Sequence, residues 1–175
     1  NAEYLIISHP DFIDDLGDLV SAKESQGLQV RVVNVEDIYS LFGHGILDAN
    51  AIRDYIRYAI KEMGTDYVLL VGGDTYDYLD YLKTGSESYI PSLYSATGFG
   101  VMFAPVDPLY TDIDGDNVPD APIGRLPVRT LDELAAVISK IVAYPAAPNG
   151  YTALFAADEE FGDQSDTHAA KVPNY

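Results

Sequence analysis

Residues 66–74, DYVLLVGGD, contain the stretch that decides the fold. The run Tyr67–Val71 is continuously apolar, which is typical of a strand that is buried on both faces of a parallel sheet. Two glycines and Asp74 follow immediately, which indicates that the chain turns where this strand ends. This stretch therefore predicts a central strand of an α/β fold.

Four further runs have the composition of strands. They are YLIIS at Tyr4–Ser8, LQVRVVNV at Leu28–Val35, IGRLPV at Ile123–Val128 and TALFAA at Thr152–Ala157. We expect the third of them to be short, because Pro127 cannot donate a hydrogen bond to a neighbouring strand.

Apolar residues at helical spacing separate the first three strands of the prediction. One helical pattern begins after Pro10 and closes at Gly27. A second pattern is capped by Asp48 or Asn50 and ends at Gly64.

A third helix follows the IGRLPV run. Thr130 and Glu133 fit a capping box at its start, and the helix stops before Pro145. Residues 74–110 are rich in Tyr, Gly, Ser and Pro, and we expect a long, partly ordered loop region with short strands there. Strands that alternate with amphipathic helices predict a three-layer α/β fold, a mostly parallel sheet with helices on both faces. The best candidate for a linker is 144–150.

The composition excludes several classes of function. The chain has 175 residues, of which 28 are acidic and 10 are basic, and its formal net charge is −18. Nucleic acids and anionic membranes attract positive surfaces, so neither is an expected partner, whereas cations are. The chain has no cysteine, which excludes disulfides, thiolate metal sites and a cysteine nucleophile within it. No stretch is long and apolar enough to insert into a membrane.

An acidic loop within Tyr110–Thr130, YTDIDGDNVPDAPIGRLPVRT, is the clearest candidate site. Its aspartates 112, 114, 116 and 120 stand at positions one, three, five and nine, which are side-chain positions of a calcium-binding loop. The Val118 carbonyl occupies position seven. This spacing predicts Ca²⁺ bound by Asp112, Asp114, Asp116, Val118 and Asp120.

The acidic loop is not an EF-hand, because Ile123 replaces the bidentate Glu at position twelve. A further ligand has to come from elsewhere, and Asp107 is a candidate. Gly115 and Asn117 permit the left-handed backbone that such a loop requires. The alternative is a solvated loop rich in Asx-turns, although four carboxylates repel one another there.

Other polar residues give weaker signals. Asp74 and Asp77 could bind a cation or accept hydrogen bonds from loop amides, and a tight turn with capping aspartates is about as plausible as any site. The glycine pair before them lacks the spacing of a dinucleotide or P-loop motif. His9, His44 and His168 form no arrangement with a serine that the spacing supports, and no G-x-S-x-G elbow is present.

Several segments together resemble the gingipain-type cysteine peptidases of family C25. The segments, in the order of the family, are EYLIISHPDFIDDLGDLVSAKESQGLQVRVVNVEDIYSLF, DANAIRDYIRYAI, DYVLLVGGDTYDY, DIDGDNVPDAPIGRLPVRT and VISKIVAY. They cover nearly the whole chain, and the GRLPVRT strand behind the acidic loop is the most specific of them.

The resemblance implies a Rossmann-like, caspase-like unit of two side-by-side subdomains. Residues 1–150 resemble the first subdomain, and 151–175 resemble the opening strand and a further segment of the second, so we expect the chain to be an excerpt or a processed product. The family's catalytic Cys and His belong to the second subdomain, and no residue of this chain takes their place; His44 imitates the family's His-Gly element by chance. Asp158 or Glu159 could be the carboxylate that assists the missing His.

Two functional hypotheses remain. In the first, the chain is the amino-terminal part of a secreted or cell-surface cysteine endopeptidase, which is stabilised by calcium and acts on proteins or peptides together with the remaining catalytic subdomain. In the second, the chain is a non-catalytic, calcium-binding α/β module that packs on a partner or scaffold.

Overall fold

The computed structural model of the chain describes residues 1–97 and 102–144, which belong to one compact unit. The strands are β1 (Tyr4–Ser8), β2 (Val30–Asn34), β3 (Tyr67–Val71), β4 (Tyr94–Ala96), β5 (Phe103–Pro105) and β6 (Ile123–Leu126). The α-helices are α1 (Pro10–Ile13), α2 (Gly17–Ser25), α3 (Val35–Phe42), α4 (Ala49–Tyr58) and α5 (Leu131–Ala143). A π-helical turn, Ala59–Met63, extends α4, and Asp107–Tyr110 forms a short 3-10 helix.

Four strands form one parallel sheet in the order β2-β1-β3-β6. The predicted central strand, β3, pairs with β1 on one side and with β6 on the other. Leu69 of β3 lies beside Ile6 and Gly124 in the two neighbouring strands. The predicted parallel α/β sheet is therefore confirmed, whereas the predicted strand at Thr152–Ala157 and the predicted boundary at residue 150 lie outside the described residues.

Two apolar cores cover the two faces of the sheet. Because side chains alternate along a strand, Leu5 and Ile7 enter one core and Ile6 enters the other. Helices α3 and α4 close the first core, and α1, α2 and α5 close the second. The three-layer arrangement with helices on both faces is thus confirmed.

The second strand is shorter than its sequence pattern suggests. We expected it over Leu28–Val35, but β2 ends at Asn34 and Val35 begins α3. The Asn34 side chain accepts a hydrogen bond from the Glu36 N–H at 2.9 Å and thus caps the helix. The apolar side chain of Val35 is fully buried in the core from the helix rather than from the strand.

The single helix predicted between Pro10 and Gly27 is divided into α1 and α2. A turn at residues 14–16 separates them, and Leu16 is buried beneath it. The apolar spacing is continuous because Phe12, Leu16 and Leu19 all enter the same core. Periodicity alone therefore could not reveal the break.

The other two predicted helices, α4 and α5, begin where the sequence predicted. Asp48 caps α4, and Gly64 ends the π-helical turn with a left-handed φ of 71°. Thr130 Oγ1 accepts from the Glu133 N–H at 3.2 Å, as in a capping box. The Glu133 carboxylate, however, accepts from the Arg129 N–H at 2.7 Å rather than from the Thr130 N–H.

The chain leaves the sheet after β3 and returns at β6. We call the first part of this connection, residues 72–110, the excursion; the acidic loop follows it. Within it, β4 and β5 pair in an antiparallel ribbon, which agrees with the predicted short strands. Gly72 has a φ of 137°, and a Cβ atom there would lie 2.7 Å from the Tyr89 Cβ. The glycine therefore lets the excursion pass close to the end of β3. None of the helices that the structure describes has both the length and the apolar character of a membrane span.

Candidate functional site

Three carboxylates of the acidic loop converge on one point. One oxygen from each of Asp112, Asp114 and Asp116 lies within 4.8 Å of the other two. Oxygen ligands bind Ca²⁺ at about 2.4 Å, so two ligands on opposite sides of one ion are about 4.8 Å apart. The three side chains are therefore close enough together to contact a single calcium ion.

Backbone hydrogen bonds hold these carboxylates in place. Asp112 accepts from the N–H groups of Gly115 and Asn117 at 2.8 and 3.0 Å. Asp114 accepts from the Asp116 N–H at 3.1 Å. Gly115 and Asn117 have φ values of 83° and 69°, so the predicted left-handed backbone is present at both positions. The same hydrogen bonds are typical of Asx-turns, so they fit the solvated-loop interpretation as well.

The remaining predicted ligands are placed differently. Asp120 lies at the end of the acidic loop, and its Oδ2 accepts from the Ile113 N–H at 2.9 Å. The Val118 N–H donates to Asp116 at 2.7 Å. Asp107 lies at the start of the 3-10 helix, where both of its carboxylate oxygens accept hydrogen bonds from Arg125. Whether Val118, Asp120 and Asp107 bind a cation stays a prediction, and Asp107 would then share its carboxylate between the cation and Arg125.

Arg125 is the most connected side chain of the described residues. It forms a two-pronged ion pair with Asp107, with both N···O distances at 2.8 Å. It also donates to the carbonyls of Gly72 at 3.0 Å, Ile90 at 2.6 Å and Pro91 at 3.2 Å. The start, middle and end of the excursion are thus attached to one strand of the sheet.

The surroundings of Arg125 keep it charged. Its side chain is 11% exposed and that of Asp107 is 24% exposed. Burial by itself lowers the pKa of the Arg125 guanidinium, but the hydrogen-bonded Asp107 carboxylate outweighs this and the pKa is raised. A buried cation with its acceptors satisfied costs much less free energy than an unpaired one.

Asp74 organises the carboxyl end of β3. Its carboxylate accepts from Thr75 N–H at 2.7 Å, Ser88 Oγ at 2.6 Å, Ser92 N–H at 2.9 Å and Tyr94 OH at 3.2 Å. Asp77 accepts from two loop amides, those of residues 81 and 82, at 2.7 and 2.8 Å. Of the alternatives left open for these two aspartates, the structure therefore shows hydrogen bonding to the loop.

A cleft of about 440 Å³ opens beside Asp74, and we call it the aromatic cleft. Tyr76, Tyr78, Tyr94 and Phe103 contribute aromatic rings to its lining, and Asp48 and Asp74 contribute carboxylates. Burial, followed by the adjacent Asp74 carboxylate, raises the pKa of the Tyr94 hydroxyl to about 12. This hydroxyl therefore stays protonated near neutral pH and acts as a donor to Asp74.

The two histidines that lie within the described residues, His9 and His44, occupy a helix cap and a turn. His44 lies on an exposed turn between α3 and α4 with a φ of 55°. His9 caps α1 by accepting from the Asp11 N–H at 3.3 Å. His168, Asp158 and Glu159 lie outside the described residues.

Sequence reasoning missed the role of Arg125. A usable signal was present, because IGRLPV has one charged residue in a run that predicts a half-buried strand. A cation at such a position needs a partner anion. The sequence did not indicate which of the many acidic residues that partner is.

The family model for peptidase family C25 matches residues 1–174. The chain belongs to peptidase family C25. The resemblance seen in the sequence is thereby confirmed, over nearly the full length of the chain.

Two solved structures share the fold of this C25 chain. Dimeric latent PorU from Porphyromonas gingivalis matches with a TM-score of 0.65 and 21% identity, over 82% of this chain and 16% of PorU. The complex of RgpB pro- and mature domains, also from Porphyromonas gingivalis, matches with a TM-score of 0.60 and 27% identity, over 82% of this chain and 29% of the RgpB chain. By these figures, the C25 chain spans less than a third of either structural relative. No curated protein sequence matches the C25 chain significantly.

Replacing Arg125 with Met should destabilise the C25 chain by about 3 kcal/mol, because the half-buried Asp107 and three backbone carbonyls would lose their shared donor. Urea unfolding measures the loss. The matched control is Arg57→Met, since Arg57 pairs with Asp54 at 3.0 Å but the two side chains are 38% and 49% exposed. That change should cost less than about 1 kcal/mol.

A double variant sharpens the test of this ion pair. Asp107→Leu combined with Arg125→Met removes both charges of the pair, and it should be more stable than Arg125→Met alone. Equal losses for Arg125→Met and Arg57→Met would contradict the structural role assigned to Arg125.

Proposed function

We propose that this chain is the amino-terminal part of a secreted or cell-surface, gingipain-like cysteine endopeptidase that is stabilised by calcium. The family match over residues 1–174 supports the peptidase assignment. The sequence contains no cysteine, so the nucleophile of such an enzyme has to come from outside these residues. The chain alone is therefore not catalytically competent in this proposal.

In the complete enzyme, catalysis would be covalent. A cysteine thiolate attacks the carbonyl carbon of a peptide bond, a histidine transfers the proton, and backbone N–H groups stabilise the oxyanion. The described residues supply the parallel sheet and the elements that pack on it. Asp158 or Glu159 remains our candidate for the carboxylate that orients the histidine.

The remaining catalytic subdomain is the proposed partner of this chain. Apolar side chains at the tip of the excursion favour such packing, because Leu79, Tyr81 and Leu82 are 53%, 77% and 76% exposed. Asp77 and Asp80 order this tip through hydrogen bonds from backbone amides. An ordered apolar tip loses little conformational entropy when a second domain covers it.

Calcium is proposed to bind in the acidic loop. Asp112, Asp114 and Asp116 would be ligands, with the Val118 carbonyl and Asp120 completing the set directly or through water. The convergent carboxylates support this assignment. Asp107 stays the candidate for a supplementary ligand, and it would then share its carboxylate between the ion and Arg125.

Calcium should raise the thermal stability of the chain. At a hundred times the dissociation constant, one bound ion adds about 2.7 kcal/mol, which corresponds to a shift of roughly 5–10 °C. Melting curves in calcium and in a chelator measure this shift. Asp114→Ala should remove most of it, whereas Asp66→Ala, at an exposed aspartate outside the acidic loop, should preserve it. Superimposable curves for the unmodified chain would contradict calcium binding.

A non-catalytic, calcium-binding module is the second candidate. The exposed apolar side chains of Leu79, Tyr81 and Leu82 favour it, because they suit packing on a partner or scaffold as well as on a catalytic subdomain. The two candidates differ in what the parent reading frame encodes after this chain. A His-Gly element and a cysteine about one strand apart support the peptidase, and their absence supports the module.

The isolated chain should have no peptidase activity, because it offers no thiolate to form an acyl-enzyme. Fluorescently labelled casein, incubated with the chain, calcium and a thiol reductant, tests this. Turnover that survives repurification and disappears on a single substitution in this chain would refute the proposal. It would indicate a serine or carboxylate mechanism instead.

A further inference from the structure

The aromatic cleft combines apolar ring faces with negative charge. Four of its lining residues are aromatic, two are aspartates, and the lining has no basic side chain among the described residues. Arg125 is close enough for its charge to act on the pKa of the Tyr94 hydroxyl, which it lowers. The charge of Arg125 is, however, matched by that of Asp107. The aromatic cleft therefore presents a net negative potential to a ligand.

Two of the rings lie close enough to share one ligand. The ring centroids of Tyr76 and Tyr94 are 5.5 Å apart, and the ring planes are tilted by 50°. A cation is attracted to an aromatic face when it lies within about 6 Å of the centroid. A single cation in the aromatic cleft can thus be within this distance of both rings.

The hydroxyl groups of these tyrosines are already in use. Tyr76 OH donates to the Phe103 carbonyl at 3.2 Å, and Tyr94 OH donates to Asp74 at 3.2 Å. These bonds fix the rings and leave their faces as the binding surface. The lining that the structure describes offers an anion no positive charge.

Asp48 supplies the remaining charge. The hydrogen bonds that Asp48 accepts from described residues come from Asn50 and end on Oδ1, which leaves Oδ2 available. A primary ammonium has three donors and a guanidinium has five, whereas a quaternary ammonium has none to satisfy. One free carboxylate oxygen beside aromatic faces suits the quaternary ammonium best.

From this geometry we infer that the aromatic cleft binds an organic cation of the quaternary ammonium class, held against the adjoining rings of Tyr76 and Tyr94 and balanced by Asp48. This is a binding function of the chain itself, and it depends neither on the peptidase assignment nor on calcium.

Choline and its neutral isostere 3,3-dimethyl-1-butanol test the inference on the 175-residue chain. They have the same shape and differ in charge. Titrations followed by NMR should show saturable shifts at the ring resonances of Tyr76 and Tyr94 with choline and none with the isostere. Equal shifts with both would make this a simple apolar cleft and overturn the inference. An absence of shifts with choline, or shifts confined to other residues, would overturn it too.

Substitutions test the named contacts. Tyr76→Leu should weaken choline binding about fivefold, and Tyr76→Phe should retain it because the ring face remains. Tyr144→Leu, at a tyrosine that is 66% exposed at the end of α5, is the matched control and should leave binding unchanged. Wild-type affinity in Tyr76→Leu would overturn the inference.

The charge needs a control of its own, because any cation is drawn to a chain of net charge −18. Asp48→Asn keeps an oxygen that can cap α4 and should weaken choline binding about threefold. Asp66→Asn removes one charge at an exposed site that does not line the aromatic cleft. An equal loss in both variants would reveal general electrostatic attraction and would contradict a built site.

Discussion

The buried guanidinium of Arg125 determines how the carboxyl end of the sheet is built. At the carboxyl end of a parallel sheet, the loops that follow the strands need contacts to hold them in place. The connection between β3 and β6 is long, because it runs from residue 72 to residue 122. Arg125 reaches from β6 to the carbonyls of Gly72, Ile90 and Pro91 and to both oxygens of Asp107. A long segment that has few regular hydrogen bonds of its own is thereby attached to the most rigid part of the molecule.

Both candidate sites depend on this attachment. The Tyr110 hydroxyl donates to the Pro91 carbonyl at 2.6 Å, and its side chain is fully buried. Since Tyr110 ends the 3-10 helix that Asp107 begins, the acidic loop starts from a fixed point. On the other side, Pro91 and Ser92 line the aromatic cleft next to Asp74. The same ion pair thus positions the acidic loop at one end of the excursion and the aromatic cleft in its middle.

The sequence predicted what depends on local pattern. The apolar run of β3, the caps at Asp48 and Thr130 and the alternating aspartates of the acidic loop are local features, and the structure shows each of them. The left-handed backbone at Gly115 and Asn117 belongs to the same group.

Contacts across long stretches of chain could not be predicted in this way. Arg125 meets partners that are 18 to 53 residues away, so no spacing rule relates them. Asp107 was expected to supplement the acidic loop because the loop lacks a glutamate at position twelve. The sequence did not indicate that both oxygens of Asp107 also accept hydrogen bonds from Arg125, which lies beyond that loop. The break between α1 and α2 was hidden for a related reason, since both helices pack on one core.

Native-state hydrogen exchange tests most directly whether Arg125 unites the excursion with the sheet. The Val106 N–H donates to Leu93 and the Ser92 N–H donates to Asp74, so these amides report on the excursion, while Leu70 reports on the sheet. The opening free energies of the three amides should agree within about 1 kcal/mol, and Arg125→Met should lower those of Val106 and Ser92 first. Exchange at Val106 and Ser92 that is several kcal/mol easier than at Leu70 in the unmodified chain, and unchanged by Arg125→Met, would contradict the account.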